Sequence, residues 1–192
     1  AGATANNYTF TATAIGVYKY RLSVAEAGNI ANINCRVASN ITTITIHDLP
    51  VITASSNSPV CEGKPVNLNA AGGATYNWTG PAGYTSNVQN PVFTAANSSA
   101  GNYIVTAKDQ FGCVNTASTT VNILPKPVTD VFPKSASFCT GDSVLLTATG
   151  GISYLWTPAA GLTNPATAST YAKPASTTTY TVTATGTNAC TS

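Results

Sequence analysis

The chain has 192 residues, 43% of them hydrophobic and only 7% charged, with a formal net charge of +2. So little charge, against roughly 25% in an ordinary soluble protein, leaves the polar surface to Thr, Ser and Asn. Scattered basic residues exclude a phosphate-binding stripe and hence a nucleic-acid partner. No apolar run approaches the ~20 residues that would insert in a bilayer.

Read in chain order, the composition favours strands, because Thr and the other β-branched residues suit a pleated surface. Residues 1–50 contain Gly16-Val17-Tyr18, Cys35-Arg36-Val37-Ala38-Ser39 and the run Thr43-Ile44-Thr45-Ile46-His47-Asp48-Leu49-Pro50. Val51-Ile52-Thr53-Ala54 opens the next stretch as a strand. Val66, Leu68 and Ala70 then alternate with Asn67 and Asn69, the period of two that puts one face inward. Gly72-Gly73 turns the chain into Ala74–Thr79, which sets Tyr76 and Trp78 on one face, and Gly80-Pro81-Ala82-Gly83 breaks it again. Pro91–Thr94 starts another strand, and Tyr103, Val105 and Ala107 alternate in the one after. Asp109–Gly112 predicts a hairpin turn into a final strand carrying Val121 and Ile123. Short strands with turn signals every 8–12 residues predict an all-β sandwich, and no segment keeps a helical period.

The pattern then repeats. Pro59-Val60-Cys61-Glu62-Gly63 returns as Ser137-Phe138-Cys139-Thr140-Gly141, an offset of 78 that also relates Gly72-Gly73 to Gly150-Gly151 and Trp78 to Trp156. Farther on it slips by one, matching Tyr103 with Tyr180 and Cys113 with Cys190. A fixed period of this kind predicts an array of similar small domains. The expected division is 1–50 as the back part of a repeat, 51–127 as a complete one, and 128–192 as one lacking its last strand. Since the chain starts and stops inside a repeat and holds no Met, it reads as a piece of a longer polypeptide. Leu49-Pro50 and Leu124-Pro125-Lys126-Pro127 are short, stiff connectors, which predict an extended rod.

The five cysteines occupy repeat-equivalent positions and suit structural bridges in an oxidising compartment. None has the close spacing of a metal site. One pairing closes each repeat on itself, Cys61–Cys113 and Cys139–Cys190, and leaves Cys35 with a partner upstream. In a sandwich, however, Cys61 and Cys113 belong at opposite ends, and six strand residues already span about 20 Å, beyond a disulfide's reach. A head-to-tail bridge such as Cys61–Cys190 is the other scheme, and the sequence leaves both open.

Two features resemble the immunoglobulin superfamily. Trp78 and Trp156 stand in the place of its buried strand-C tryptophan, and Ala100-Gly101-Asn102-Tyr103 resembles the approach to its tyrosine corner. Its intersheet cystine is missing. Leu68 and Val105, like Leu146 and Val182, stand where those cysteines would be. The closer resemblance is to the Ig-like and PKD-like tandem repeats of very large Bacteroidetes surface proteins, among them gliding-motility adhesins of the SprB type. It rests on Cys139-Thr140-Gly141, Tyr154-Leu155-Trp156-Thr157-Pro158 and Thr179-Tyr180-Thr181-Val182-Thr183-Ala184 with Cys190. The acidic Gly-Asp-Gly turn of ordinary PKD domains is replaced here by Thr79-Gly80-Pro81. That resemblance implies export by type IX secretion, surface anchoring and display outside the bacterial cell. Surface polysaccharide is a partner it allows.

Catalytic chemistry finds little support. His47, the sole histidine, lies beside Asp48 with no serine or cysteine tied to it, and a triad needs a complete constellation. Glu26, Asp48, Glu62, Asp109, Asp130 and Asp142 are too dispersed for a carboxylate pair or a calcium cage. Trp78, Trp156, Tyr103 and Tyr180 recur at fixed repeat positions and are expected in the core. Tyr20, Tyr84 and Phe111 do not recur and are the candidates for an exposed carbohydrate contact. The reading is a non-enzymatic stalk segment of a surface adhesin, without cofactor. The alternative is an accessory module of a secreted polysaccharide-degrading enzyme.

Overall fold

The computed structural model describes residues 11, 13–25 and 36–192. Cys35 therefore lies outside the described residues. In the first stretch β1 (Gly16–Tyr20) pairs antiparallel with β4 (Thr42–Ile46), and β2 (Ser23–Ala25) with β3 (Arg36–Ala38).

Residues 51–127 form a sandwich. Its first sheet is built from β5 (Thr53–Ser56), β7 (Pro65–Ala71) and β10 (Val92–Thr94), with β7 between the other two. The second holds β8 (Thr75–Thr79), β9 (Thr85–Ser86), β11 (Gly101–Lys108) and β12 (Val114–Val121) in the order β12-β11-β8-β9. In immunoglobulin lettering these sheets are A-B-E and G-F-C-C′, so the strand order is Ig-like. Between them the short β6 (Val60–Cys61) pairs parallel with β13 (Ile123–Leu124).

The inward face follows from the alternation. Val66, Leu68 and Ala70 of β7 meet Trp78, Tyr103, Val105 and Val121, and all are buried. At roughly 1.5–3 kcal/mol for each large apolar side chain, this cluster dominates the stability of the unit. Leu68 and Val105 sit beside Trp78 in one apolar cluster, so close packing replaces the missing cystine.

Residues 128–192 repeat the arrangement with fewer strands. β14 (Asp130–Phe132), β15 (Val144–Thr149) and β17 (Ser169–Ala172) make one sheet, and β16 (Ser153–Thr157) pairs with β18 (Thr181–Thr185). Registers are conserved between the copies: Trp156 faces Val182 as Trp78 faces Val105, and Val131 faces Ala148 as Ala54 faces Ala70. Leu146, Ala148, Trp156 and Ala172 form the second core, with Tyr180 and Val182 packed at its margin. Both indole N–H groups donate to a carbonyl eleven residues on, Trp78 to Gln89 and Trp156 to Thr167.

Two expected strand limits shift. The opening strand starts at Thr53 rather than Val51: its ladder with β7 begins at Thr53↔Ala71, and Val51 lies beyond that, close against the turn at Gly72. Gly72 and Gly150 have φ of 96° and 91°, and a Cβ on either would collide with the carbonyl of Val51 or Val128. The last strand, expected to run unbroken through Val121 and Ile123, divides at Asn122. There its N–H is taken by the Ser58 hydroxyl at 2.7 Å and the chain crosses to pair with β6.

Candidate functional site

The feature with most chemistry is the junction between residues 51–127 and 128–192. β13 ends the first of these sandwiches and runs directly into Pro125-Lys126-Pro127. The loop after β18, residues 186–190, reaches back over this connector. Gly186 N–H donates to the Cys190 carbonyl at 2.8 Å, which closes the loop. The Asn188 side-chain carbonyl accepts the Cys190 N–H at 3.1 Å. The Asn188 amide is then left to donate to the Pro125 carbonyl at 2.8 Å. Pro125 has no N–H, so its carbonyl is the one backbone hydrogen-bonding group it offers the clasp.

A disulfide completes the lock. Cys61 and Cys190 are bonded with their Cα atoms 5.6 Å apart, across 129 residues of sequence. The two pairings that would close each repeat on itself are not formed. Cys113 is a half-buried free thiol and Cys139 an exposed one. The reason is topological. Cys61 lies in β6, beside Leu124 at the exit of its sandwich, whereas Cys113 ends the β11–β12 turn at the entrance.

The preceding junction uses the same vocabulary with different residues. The Asn115 amide donates to the Pro50 carbonyl at 2.9 Å, and Phe111 stacks on His47 with ring centroids 3.6 Å apart and planes 8° from parallel. Asp109 stiffens that turn by accepting the N–H groups of Phe111 and Cys113. Repetition of an Asn-to-Pro carbonyl clasp was not foreseen from the sequence. The signal available was an Asn within two residues of each loop cysteine, Asn115 and Asn188.

The candidate sugar-binding aromatics separate. Phe111, 56% exposed, covers His47. Tyr84 is corrected to a core-margin residue: it packs edge-on to Tyr103 and near Phe93, with centroids 5.3 and 4.9 Å away. Burial pushes the phenols of Tyr84 and Tyr103 above their ordinary value, and in Tyr103 the neighbouring Tyr84 adds to the rise. Tyr20 is half-buried in the β1–β4 pair. No two of these rings share an exposed plane.

Tyrosine corners are present at Tyr18 and Tyr103, whose hydroxyls donate four residues back to Ala14 and Ser99 at 2.8 and 2.9 Å. Tyr180 departs from this and donates to Ala160 at 2.8 Å. Asp48 and Asp130 each accept the next residue's N–H, and Asp130 also pairs with Lys134 at 3.5 Å. Among the described residues no three His, Cys, Asp or Glu side chains converge. An open hollow of about 300 Å³ at the junction is lined by Pro125, Lys126, Pro127, Ile152 and Asn188, with no acid–base pair.

No protein-family model and no curated protein matches the chain. Solved structures with partial likeness include the amphioxus IgVJ-C2 molecule, 16% identical over 56% of this chain, with a TM-score of 0.36. The chain spans 60% of that molecule's length. Murine CEACAM1b is 12% identical over 71% of this chain and 93% of its own, with a TM-score of 0.34. The same figures hold for a mouse coronavirus receptor-binding domain complexed with its murine receptor.

Proposed function

We propose that this chain is a non-catalytic structural segment of an adhesive protein displayed outside a bacterial cell, where successive Ig-like sandwiches act as a stiff stalk. The observation that carries the reading is the Cys61–Cys190 bridge, which ties one sandwich to the next rather than closing either. A cystine in that position, with the Asn188 clasp and two prolines in a three-residue connector, restricts bending between units. It also fits an oxidising, extracellular setting. On this reading the three repeats, 1–50, 51–127 and 128–192, are links of a longer rod. The finer proposal, a Bacteroidetes gliding-type adhesin exported by type IX secretion, rests on the repeat phrase around Cys139, Trp156 and Tyr180.

Labelling intact source cells with an antibody raised against residues 51–127 tests this. The expected result is surface label, on filaments that move with the cell. Label confined to the culture supernatant overturns the stalk in favour of an accessory module of a secreted polysaccharide-degrading enzyme.

A further inference from the structure

We infer that the open edge of β10 (Val92–Thr94) joins, edge to edge, the same strand of a second copy of this chain. The Leu68 N–H donates to the Pro91 carbonyl and the Ala95 N–H to the Lys64 carbonyl, so the odd-numbered residues of 91–95 hold β10 against β7. In an antiparallel ladder the residues between them turn their N–H and C=O groups the other way. Those of Val92 and Thr94 therefore point out of the edge of the sheet, and no group among the described residues meets them. Val92 is 62% exposed, and Thr94 is exposed as well.

The second sandwich covers the equivalent edge itself. Ala172 faces Val144 as Phe93 faces Val66, which makes Tyr171 and Lys173 the counterparts of Val92 and Thr94. There the Thr163 N–H donates to the Tyr171 carbonyl at 3.0 Å, and the Tyr171 N–H to the Thr163 hydroxyl at 3.1 Å. The Lys173 N–H donates to the Gly161 carbonyl at 2.7 Å. The difference lies in the connector after each tryptophan strand. After β16 it runs along β17, where Gly161 comes so near that a Cβ would lie 3.0 Å from the Pro174 backbone. After β8 it turns the other way, and β9 lays Thr85 and Ser86 against Thr79 and Trp78. One edge is closed from within and the other is left open.

Charge decides the occupant. Sheet edges are ordinarily kept apart by a lysine on the edge or by a covering segment. The second sandwich has both, since Lys173 stands at the covered edge. At β10 that place is taken by Thr94, and the sequence from Pro65 to Ala107 carries no charged residue. The far strand of the same sheet, β5, is uncharged too. A charged partner finds no counter-charge here, whereas a second copy brings an equally neutral edge. Two-fold antiparallel pairing centred on Phe93 sets Val92 of each copy opposite Thr94 of the other. Both outward N–H groups and both carbonyls of each strand are then matched. The two three-stranded sheets become one continuous sheet. This pairing does not depend on the chain being a stalk.

Sedimentation velocity of the full chain over a concentration series tests the pairing. Its free thiols, Cys113 and Cys139 among them, are alkylated so that only non-covalent association is read. A reversible monomer–dimer equilibrium is expected. Thr94→Lys installs the residue that the second sandwich carries at this place, so the fold is expected to keep its melting temperature. It is expected to weaken the dimer at least about tenfold, because it sets a charge at each end of the paired edge. Thr116→Lys, an exposed charge on the other sheet, is expected to leave the dimer unchanged. Amide exchange gives a second reading on the unaltered chain: the Val92 and Thr94 N–H groups are expected to exchange more slowly as concentration rises. A chain that stays monomeric throughout overturns the inference and leaves the edge to an extended segment of a different protein. A dimer that Thr94→Lys leaves intact, or that protects neither amide, also overturns it, since another surface then joins the copies.

Discussion

Tyr103 concentrates several roles in one side chain: it is fully buried, hydrogen-bonds to Ser99, and lies against Tyr84 and Phe93. Tyr103→Phe keeps the ring and removes the hydroxyl, so a loss of about 0.5–1.5 kcal/mol is expected in urea unfolding. The pH dependence has a definite sign. Burial raises the phenol above its ordinary 10.0, so the folded protein holds the proton longer than the unfolded chain does. Its contribution is complete below pH 10.0 and is lost as pH rises through the folded value, and Tyr103→Phe is expected to flatten that alkaline decline. Gly72→Ala acts through the backbone instead. It sets a Cβ against the Val51 carbonyl at a φ of 96°, and thermal unfolding is expected to register a loss of more than about 1 kcal/mol. The recurrence of Gly72 at Gly150 made such a turn readable from sequence. The Tyr76 hydroxyl that braces it, donating to the Gly73 carbonyl at 2.8 Å, was not, because a phenol's partner depends on how the turn folds back.

Among the elements, β7 and β15 are equivalent strands in unequal surroundings. Leu68→Ala opens a cavity in a closed core and is expected to cost about 2–5 kcal/mol. Leu146→Ala, in a smaller buried cluster where the side chain is 8% exposed, is expected to cost less, and parallel denaturant titrations of the two variants read the difference. Strand existence and inward face were legible at β7, where Val66, Leu68 and Ala70 alternate with Asn67 and Asn69. The break between β12 and β13 was not. Thr119 to Ile123 keeps an unbroken period of two, and the change of pairing partner at Asn122 depends on Ser58, 64 residues away. The same limit applies to Tyr84. Its loop position and lack of a repeat counterpart say nothing of Phe93 and Tyr103 beneath it. Which cysteines join was likewise a matter of how ends of sandwiches meet, and spacing along the chain carries no such information.

At the scale of the molecule, the bridge acts on the unfolded chain as well as the folded one. Closing a loop of 129 residues corresponds to about 5 kcal/mol in the chain-entropy account. Cys61→Ser is therefore expected to lower the melting temperature of residues 128–192 more than that of residues 51–127, whose core is complete. Calorimetry of the oxidised chain and the variant would separate the two transitions, and coincident unchanged melting would remove the bridge from the stability of either. The same bond also redirects traction. A pull applied at the two ends enters at Cys61 and leaves at Cys190 through sulfur, so β5, which precedes Cys61, stays on the loaded path with its β7 ladder, while the strands between the two cysteines do not. About 450 Å of contour length is thereby kept out of reach until the bond is reduced. Redox state, rather than the strength of either β-sandwich, then decides how far this stretch of polypeptide yields.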